Sequence, residues 1–136
     1  MGIRIDHIGI ATNNLEDATK FWKILGLVQG DDETNQEQGV NIRFFDTEGE
    51  KSPRIELLEP TGTDTPIGKF IEKRGPGIQQ IAFEVSELQA LINRLMESGI
   101  RMINESPVAG AHGSSIAFVH PSSTGGVLVE LVEYAE

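Results

Sequence analysis

Apolar and polar residues alternate along "RIDHIGIA" (4–11), "VNIRFFD" (40–46), "RIELLEP" (54–60) and "IQQIAFEV" (78–85), a pattern that predicts strands. "SSIAFVH" (114–120) and "GVLVELVEY" (126–134) read the same way. The period lengthens to that of a helix in "NNLEDATKFWKILG" (13–26). There Asn13 or Asn14 can cap the start, Leu15, Ala18, Phe21, Trp22 and Leu25 are the expected inward stripe, and Gly26 is the stop. "TDTPIGKFIEKRG" (63–75) predicts a short helix opening at Thr65-Pro66 and closing at Gly75. "SELQALINRLMESG" (86–99) predicts a third helix with Leu88, Leu91, Ile92 and Leu95 inward. The order is βαββ, a short helix, then βα and further strands.

The chain also repeats itself. Moved by 73 positions, "DHIGIATNNLEDATKFWKILGL" (6–27) lies without a gap on "QQIAFEVSELQALINRLMESGI" (79–100). Moved by 74, "IELLE" (55–59) lies on "VELVE" (129–133). Two copies of a βα-plus-strands module explain this better than a parallel doubly wound sheet does. In this register His7 corresponds to Gln80, and Glu56 to Glu130.

Strand side chains point alternately to opposite faces. His7, Gly9 and Ala11 therefore share one face, and Ile8 and Ile10 the other. In the second copy Gln80 and Ala82 oppose Ile81, Phe83 and Val85. The bulky faces should pack on the helices, leaving the small residues and the His or Gln on the wall of a cleft. Glu56 shares its face with Leu58, and Glu130 with Leu128 and Val132. An acid on such an apolar face needs a partner, a proton or a metal.

Composition narrows the function. The 136 residues suit one domain, with 38% hydrophobic and 24% charged residues. A net charge of −10 argues against nucleic acid and anionic membranes as partners. No apolar run approaches bilayer length, and "MGIRIDHIGI" lacks a signal-peptide plan, so a cytoplasmic location is expected. With no cysteine, disulfides, thiolate nucleophiles and zinc–cysteine sites are excluded. His112 in "GAHGSS" and His120 in "FVHPSS" read as loop polarity. Singly, His7, Glu56 and Glu130 read as ordinary strand residues. Their equivalence in the repeat favours a joint metal site of His7, Glu56, Gln80 and Glu130. One imidazole and three oxygens suit Co²⁺, Mn²⁺, Ni²⁺, Zn²⁺ or Mg²⁺, with two octahedral positions left for water or a bidentate substrate.

"IDHIGIA", "EQGV", "IELLEP", "TPIGKFIEKRG", "GIQQIAFEV", "GAHGSSIAFVHP" and "TGGVLVELVEY" resemble the methylmalonyl-CoA epimerases of the vicinal oxygen chelate superfamily, in order over nearly the whole chain. The resemblance implies an α+β fold of two tandem βαβββ modules (about 1–72 and 73–136) forming a cupped mixed sheet, in a homodimer. It implies a divalent metal, Co²⁺ foremost, held by His7, Glu56, Gln80 and Glu130, and an acyl-CoA substrate. Three positions depart from the family pattern. Gln80 stands where a ligand His is expected, Ser122 where a Lys commonly follows the proline, and Ile42 where some members carry a carboxylate.

Metal-assisted removal and return of the proton between a thioester and a carboxylate is the implied reaction. Glu130 is the expected base, with Glu56 or Glu37 as its partner. Backbone groups of the "GAHG" turn (His112, Gly113) and of "SSTGG" (Ser123, Thr124, Gly125) are expected at the substrate. Lys69, Lys73 and Arg74 are read either as CoA-phosphate contacts or as a solvated helix face. The alternatives are a glyoxalase-like lyase or isomerase on another substrate, and a non-catalytic small-molecule binder of the same fold.

Overall fold

The computed structural model describes residues 2–135. Eight strands and three α-helices follow one another as β1 (Arg4–Ala11), α1 (Leu15–Leu25), β2 (Val28–Asn35), β3 (Val40–Asp46), β4 (Arg54–Pro60), α2 (Pro66–Arg74), β5 (Gly77–Glu84), α3 (Leu88–Glu97), β6 (Val108–Ala109), β7 (Ser115–Val119) and β8 (Val129–Glu133). Short 3₁₀ turns at Ala111–Gly113 and Pro121–Ser123 flank β7. The chain divides into two compact units, one of residues His7–Gln79 and one of the segment through Asp6 together with the chain from Gln80 onward.

In the first unit the strands run β2-β3-β4-β1. β1 pairs parallel to β4, and β3 pairs antiparallel to both β2 and β4. The second unit repeats the plan as β5-β8-β7-β6, with β5 parallel to β8 and the other pairs antiparallel. The expectation of two βαβββ modules therefore holds, and it needed two strands that alternation did not reveal. β2, "VQGDDETN", has no apolar side chain after Val28, is mostly exposed, and is bulged between Gln29 and Asp32, as an edge strand can be. β6 has only two residues.

Helices α1 and α3 each cover the bulky face of their own sheet. Leu15, Phe45 and Leu57 are buried, with Ile10, Ala18, Trp22, Leu27 and Ile55 packed on them. In the second unit Leu88 and Ile92 are fully buried against Ala117, Val119 and Leu131. Truncating such a side chain typically costs about 2–5 kcal/mol. The α1 stripe needs correction: Phe21 (61% exposed) and Leu25 (60%) face outward, and Thr19 is buried instead. Leu15, Ala18, Thr19 and Trp22 fall at helical spacing on one stripe, while Phe21 and Leu25 lie beside it.

Helix starts are fixed in parallel ways. Glu59, at the end of β4, accepts the N–H of Leu15, and its repeat partner Glu133 accepts those of Glu87 and Leu88. Asn14 adds a side-chain cap to α1, whereas α3 has no such bond from Glu87, which holds φ +52°. Arg43 ties the polar edge strand to α1. Its guanidinium is largely buried and bonds Asp32 through both oxygens, Glu16 and Thr19. Asp32 above all, then Glu16, raises its pKa further above the ordinary arginine value, so it stays charged.

Candidate metal centre and active site

Register places the two acids identically. In the first unit Glu56 lies between Gly9 on β1 and Phe44 on β3. In the second, Glu130 lies between Ala82 on β5 and Phe118 on β7. All three positions of one trio are the repeat partners of the other. The small residue leaves room on one flank of the carboxylate, and the aromatic keeps water off the other. Glu56 is 4% exposed and Glu130 6%.

Each acid has a partner in its own unit. His7 Nδ1 lies 3.0 Å from Glu56 Oε2, and Arg54 stands 4.0 Å from the same oxygen while stacking over the Phe44 ring. Gln80 Nε2 donates to Glu130 Oε1 at 2.5 Å. His7 and Gln80 are themselves buried. The four sequence-predicted ligands thus form two repeat-related pairs, one in each unit.

Their chemistry fits a divalent ion. Two donors on neighbouring corners of an octahedron, each about 2.1 Å from a metal, sit about 3 Å apart. The His7–Glu56 pair is at that separation, and all four side chains are buried away from competing water. Asp6 is a further anionic neighbour, since one ligand atom from each of Asp6, His7 and Glu56 lies within 4.8 Å of the others. Asp6, 2% exposed, is held by the Tyr134 hydroxyl at 2.9 and 3.0 Å and by Arg4 at 3.4 Å. Those bonds suit an acid that fixes the strand beside His7 better than one offered to a metal.

Asp6 and Tyr134 escaped the sequence reading. Their signal was weak: an acid on the face that Ile8 and Ile10 share, and the single tyrosine of the chain. Gly9 and Ala82 were expected as the small residues beside His7 and Gln80, whereas the matching Phe44 and Phe118 were legible in the repeat register and went unread.

The expected substrate-binding residues lie in two loops. His112, exposed, takes φ +55°, and Gly113 φ +70°. Gly113 is the repeat partner of Gly39, whose φ of +67° and close approach to Thr65 leave no room for a Cβ. In the other loop Ser123 Oγ accepts the Arg101 N–H, and Thr124 Oγ1 bonds Pro121 and Val127 within the loop. These hydroxyls help build the turn, in which Gly125 takes φ +76°. His120 accepts the Ser122 N–H through Nδ1, a turn-building role in keeping with its reading as loop polarity.

The other candidates stand apart. Glu37 is exposed in the β2–β3 turn, and Ile42 is buried on β3. Lys69, Lys73 and Arg74 are exposed on α2, where Lys69 approaches Asp64 at 3.6 Å and Arg74 stacks on Phe70. A cleft lined by Glu84, Glu87, Glu133 and Tyr134 contains neither pair. Two of its acids are structural, Glu84 bonding Arg4 and Glu133 capping α3. Among the described residues no helix is long and apolar enough to cross a membrane.

Residues 6–118 match the Glyoxalase/Bleomycin resistance protein/Dioxygenase superfamily, and the chain belongs to that superfamily. It is 42% identical to the uncharacterized protein YqjC of Bacillus subtilis, with 96% of this chain and 91% of that protein covered. It is 37% identical to an ethylmalonyl-CoA/methylmalonyl-CoA epimerase of Cereibacter sphaeroides, over 94% of this chain and 96% of that one. The crystal structure of methylmalonyl-CoA epimerase from Mycobacterium tuberculosis superposes with a TM-score of 0.91 at 40% identity, covering 97% of this chain and 88% of that one.

Proposed function

We propose that this chain is a methylmalonyl-CoA epimerase, interconverting the two C2 epimers by proton removal and return. The observation that carries the reading is the pair of repeat-related buried glutamates, each flanked by a small residue and an aromatic and each bonded to a ligand-type side chain. The similarity to proteins named as epimerases of methylmalonyl-CoA supports the choice of substrate.

His7, Glu56, Gln80 and Glu130 would hold one divalent ion. Bound there, such an ion supplies an electrophile for the thioester carbonyl and carboxylate of the substrate and stabilises the enolate. Epimerisation needs one group to take the C2 proton and another to return one from the opposite face. Glu130 takes these roles with Glu56, one carboxylate from each unit. Gln80 orients Glu130 by donating to Oε1, and His7 orients Glu56. Backbone groups of the turns at His112–Gly113 and Ser123–Gly125 meet the acyl group. A cytoplasmic homodimer completes the proposal.

One observation favours a second reading. The Gln80 amide donates to one Glu130 oxygen, a bond that also suits a binding protein of the same fold whose function uses no ion. Exchange of the C2 proton of methylmalonyl-CoA in D₂O, followed by NMR, separates the two. The epimerase reading expects exchange above the no-protein background that falls on metal removal and returns with a divalent ion. Background exchange in both forms leaves the binding protein.

A further inference from the structure

We propose that Arg54 recognises the free carboxylate of the substrate, and so selects acyl-CoA thioesters that carry a carboxylate on C2. The inference rests on the epimerase reading above and goes further by naming a residue that sets specificity.

Arg54 stands out from the repeat. It opens β4, and its partner in the second copy, at the shift of 74, is Leu128. The frame around Glu130 is therefore built with an aliphatic side chain at this position, so the fold itself does not call for a guanidinium. Its surroundings all belong to the first unit. In the β1–β4 register Arg54 lies opposite His7, and on β4 it shares a face with Glu56 two residues on. One guanidinium nitrogen is 4.0 Å from Glu56 Oε2, and the central carbon is 5.0 Å from the centre of the Phe44 ring. Arg43, the cation on neighbouring β3, takes the other face of the sheet, where it bonds Glu16 and Thr19 of α1. The His7 and Glu56 side chains are 5% exposed, that of Arg54 23%. Arg54 is thus the edge of the His7–Glu56 pair that a ligand from solvent meets.

Stacking on Phe44 uses the flat face of the guanidinium and fixes its plane, while the N–H groups lie in that plane. There are five of them, in a fork that matches a carboxylate, so one guanidinium serves a protein acceptor and a ligand carboxylate together. The charge matters as much as the fork. The chain carries a net −10, and a substrate carboxylate that approaches Glu56 meets a like charge. A fixed cation beside Glu56 offsets that repulsion. Propionyl-CoA, which lacks the carboxylate, gains nothing from it.

The test is calorimetric titration of the full chain with racemic methylmalonyl-CoA and with propionyl-CoA, which differ only in the carboxylate. A hydrogen bond to a charged group is worth roughly ten- to a hundredfold in affinity, so the wild type should favour methylmalonyl-CoA at least about tenfold. Arg54→Leu, which copies the second half, should reduce that preference to about threefold or less and leave the propionyl-CoA affinity unchanged. Arg54→Lys keeps the charge without the fork and should fall between the two. The proposal is overturned if the wild type binds the two ligands alike or binds neither, or if Arg54→Leu folds and keeps the preference. Equal weakening of both ligands in Arg54→Leu also overturns it, since a merely structural role would act that way. If Arg54→Leu does not fold by circular dichroism, Arg54→Gln decides by the same ratio. The D₂O exchange assay is read separately. A preference that depends on Arg54, without exchange in the wild type, removes the epimerase and keeps the carboxylate site. Exchange in the wild type with a preference indifferent to Arg54 does the reverse.

Discussion

The two halves of the chain set the same acid in the same frame and give it different company. Glu56 and Glu130 each sit between a small residue and a phenylalanine. In the first half the partner is an imidazole, with Arg54 close to the same carboxylate oxygen. In the second it is an amide. The frame comes from strand register and backbone pairing, which tolerate a change at the partner position. The chemistry comes from that one side chain. Position and reactivity are thus separable here, and a sequence can change the second without touching the first.

The strongest way to break this comparison is to neutralise each acid in turn. Glu130→Gln is expected to lower C2 proton exchange by roughly 10²–10⁴-fold with the fold intact by circular dichroism. Glu56→Gln should cost less, about 10–10²-fold, because Arg54 and His7 remain to organise that side. Equal small effects would show that neither carboxylate moves the proton. Next in size, His7→Gln makes the two halves chemically alike. Calorimetry with Mn²⁺ should then show at least about tenfold weaker binding, since an imidazole donor is lost.

Smaller effects sharpen the comparison at the helix starts. Glu133→Ala removes the acceptor of two backbone N–H groups at a helix without a side-chain cap of its own, for about 1–2 kcal/mol by urea denaturation. Glu59→Ala should cost about 0.5–1 kcal/mol, because Asn14 still caps α1. Arg43→Met should cost about 1 kcal/mol, since its carboxylate partners are half or more exposed, and should leave proton exchange unchanged.

Much of this was legible in the sequence because it follows from periodicity. Six strands, three helices and their caps were marked by alternation, by Asn14, by Thr65-Pro66 and by glycines. β2 was hidden because an exposed edge strand buries nothing and so carries no apolar signature. Asp31, Asp32 and Glu33 there read as loop. The α1 stripe went astray because Phe21 and Leu25 are apolar and yet exposed. The repeat held the correction: their partners in the second copy are Arg94 and Ser98, whereas Thr19 meets the buried Ile92. The two pairs were legible as four equivalent positions. Their support by Tyr134, Asp6 and Arg4 was not, because those residues meet only in the folded chain and share no sequence period.

We propose that two carboxylates, one from each half, divide the proton transfers. The direct test starts from a single C2 epimer of methylmalonyl-CoA in D₂O and follows deuterium in both epimers at early conversion. Two separate groups predict deuterium in the newly formed epimer while the remaining starting epimer stays protonated. Deuterium entering the starting epimer as fast as the product, or faster, would mean that one group does both transfers, and the division of labour between Glu56 and Glu130 would be wrong.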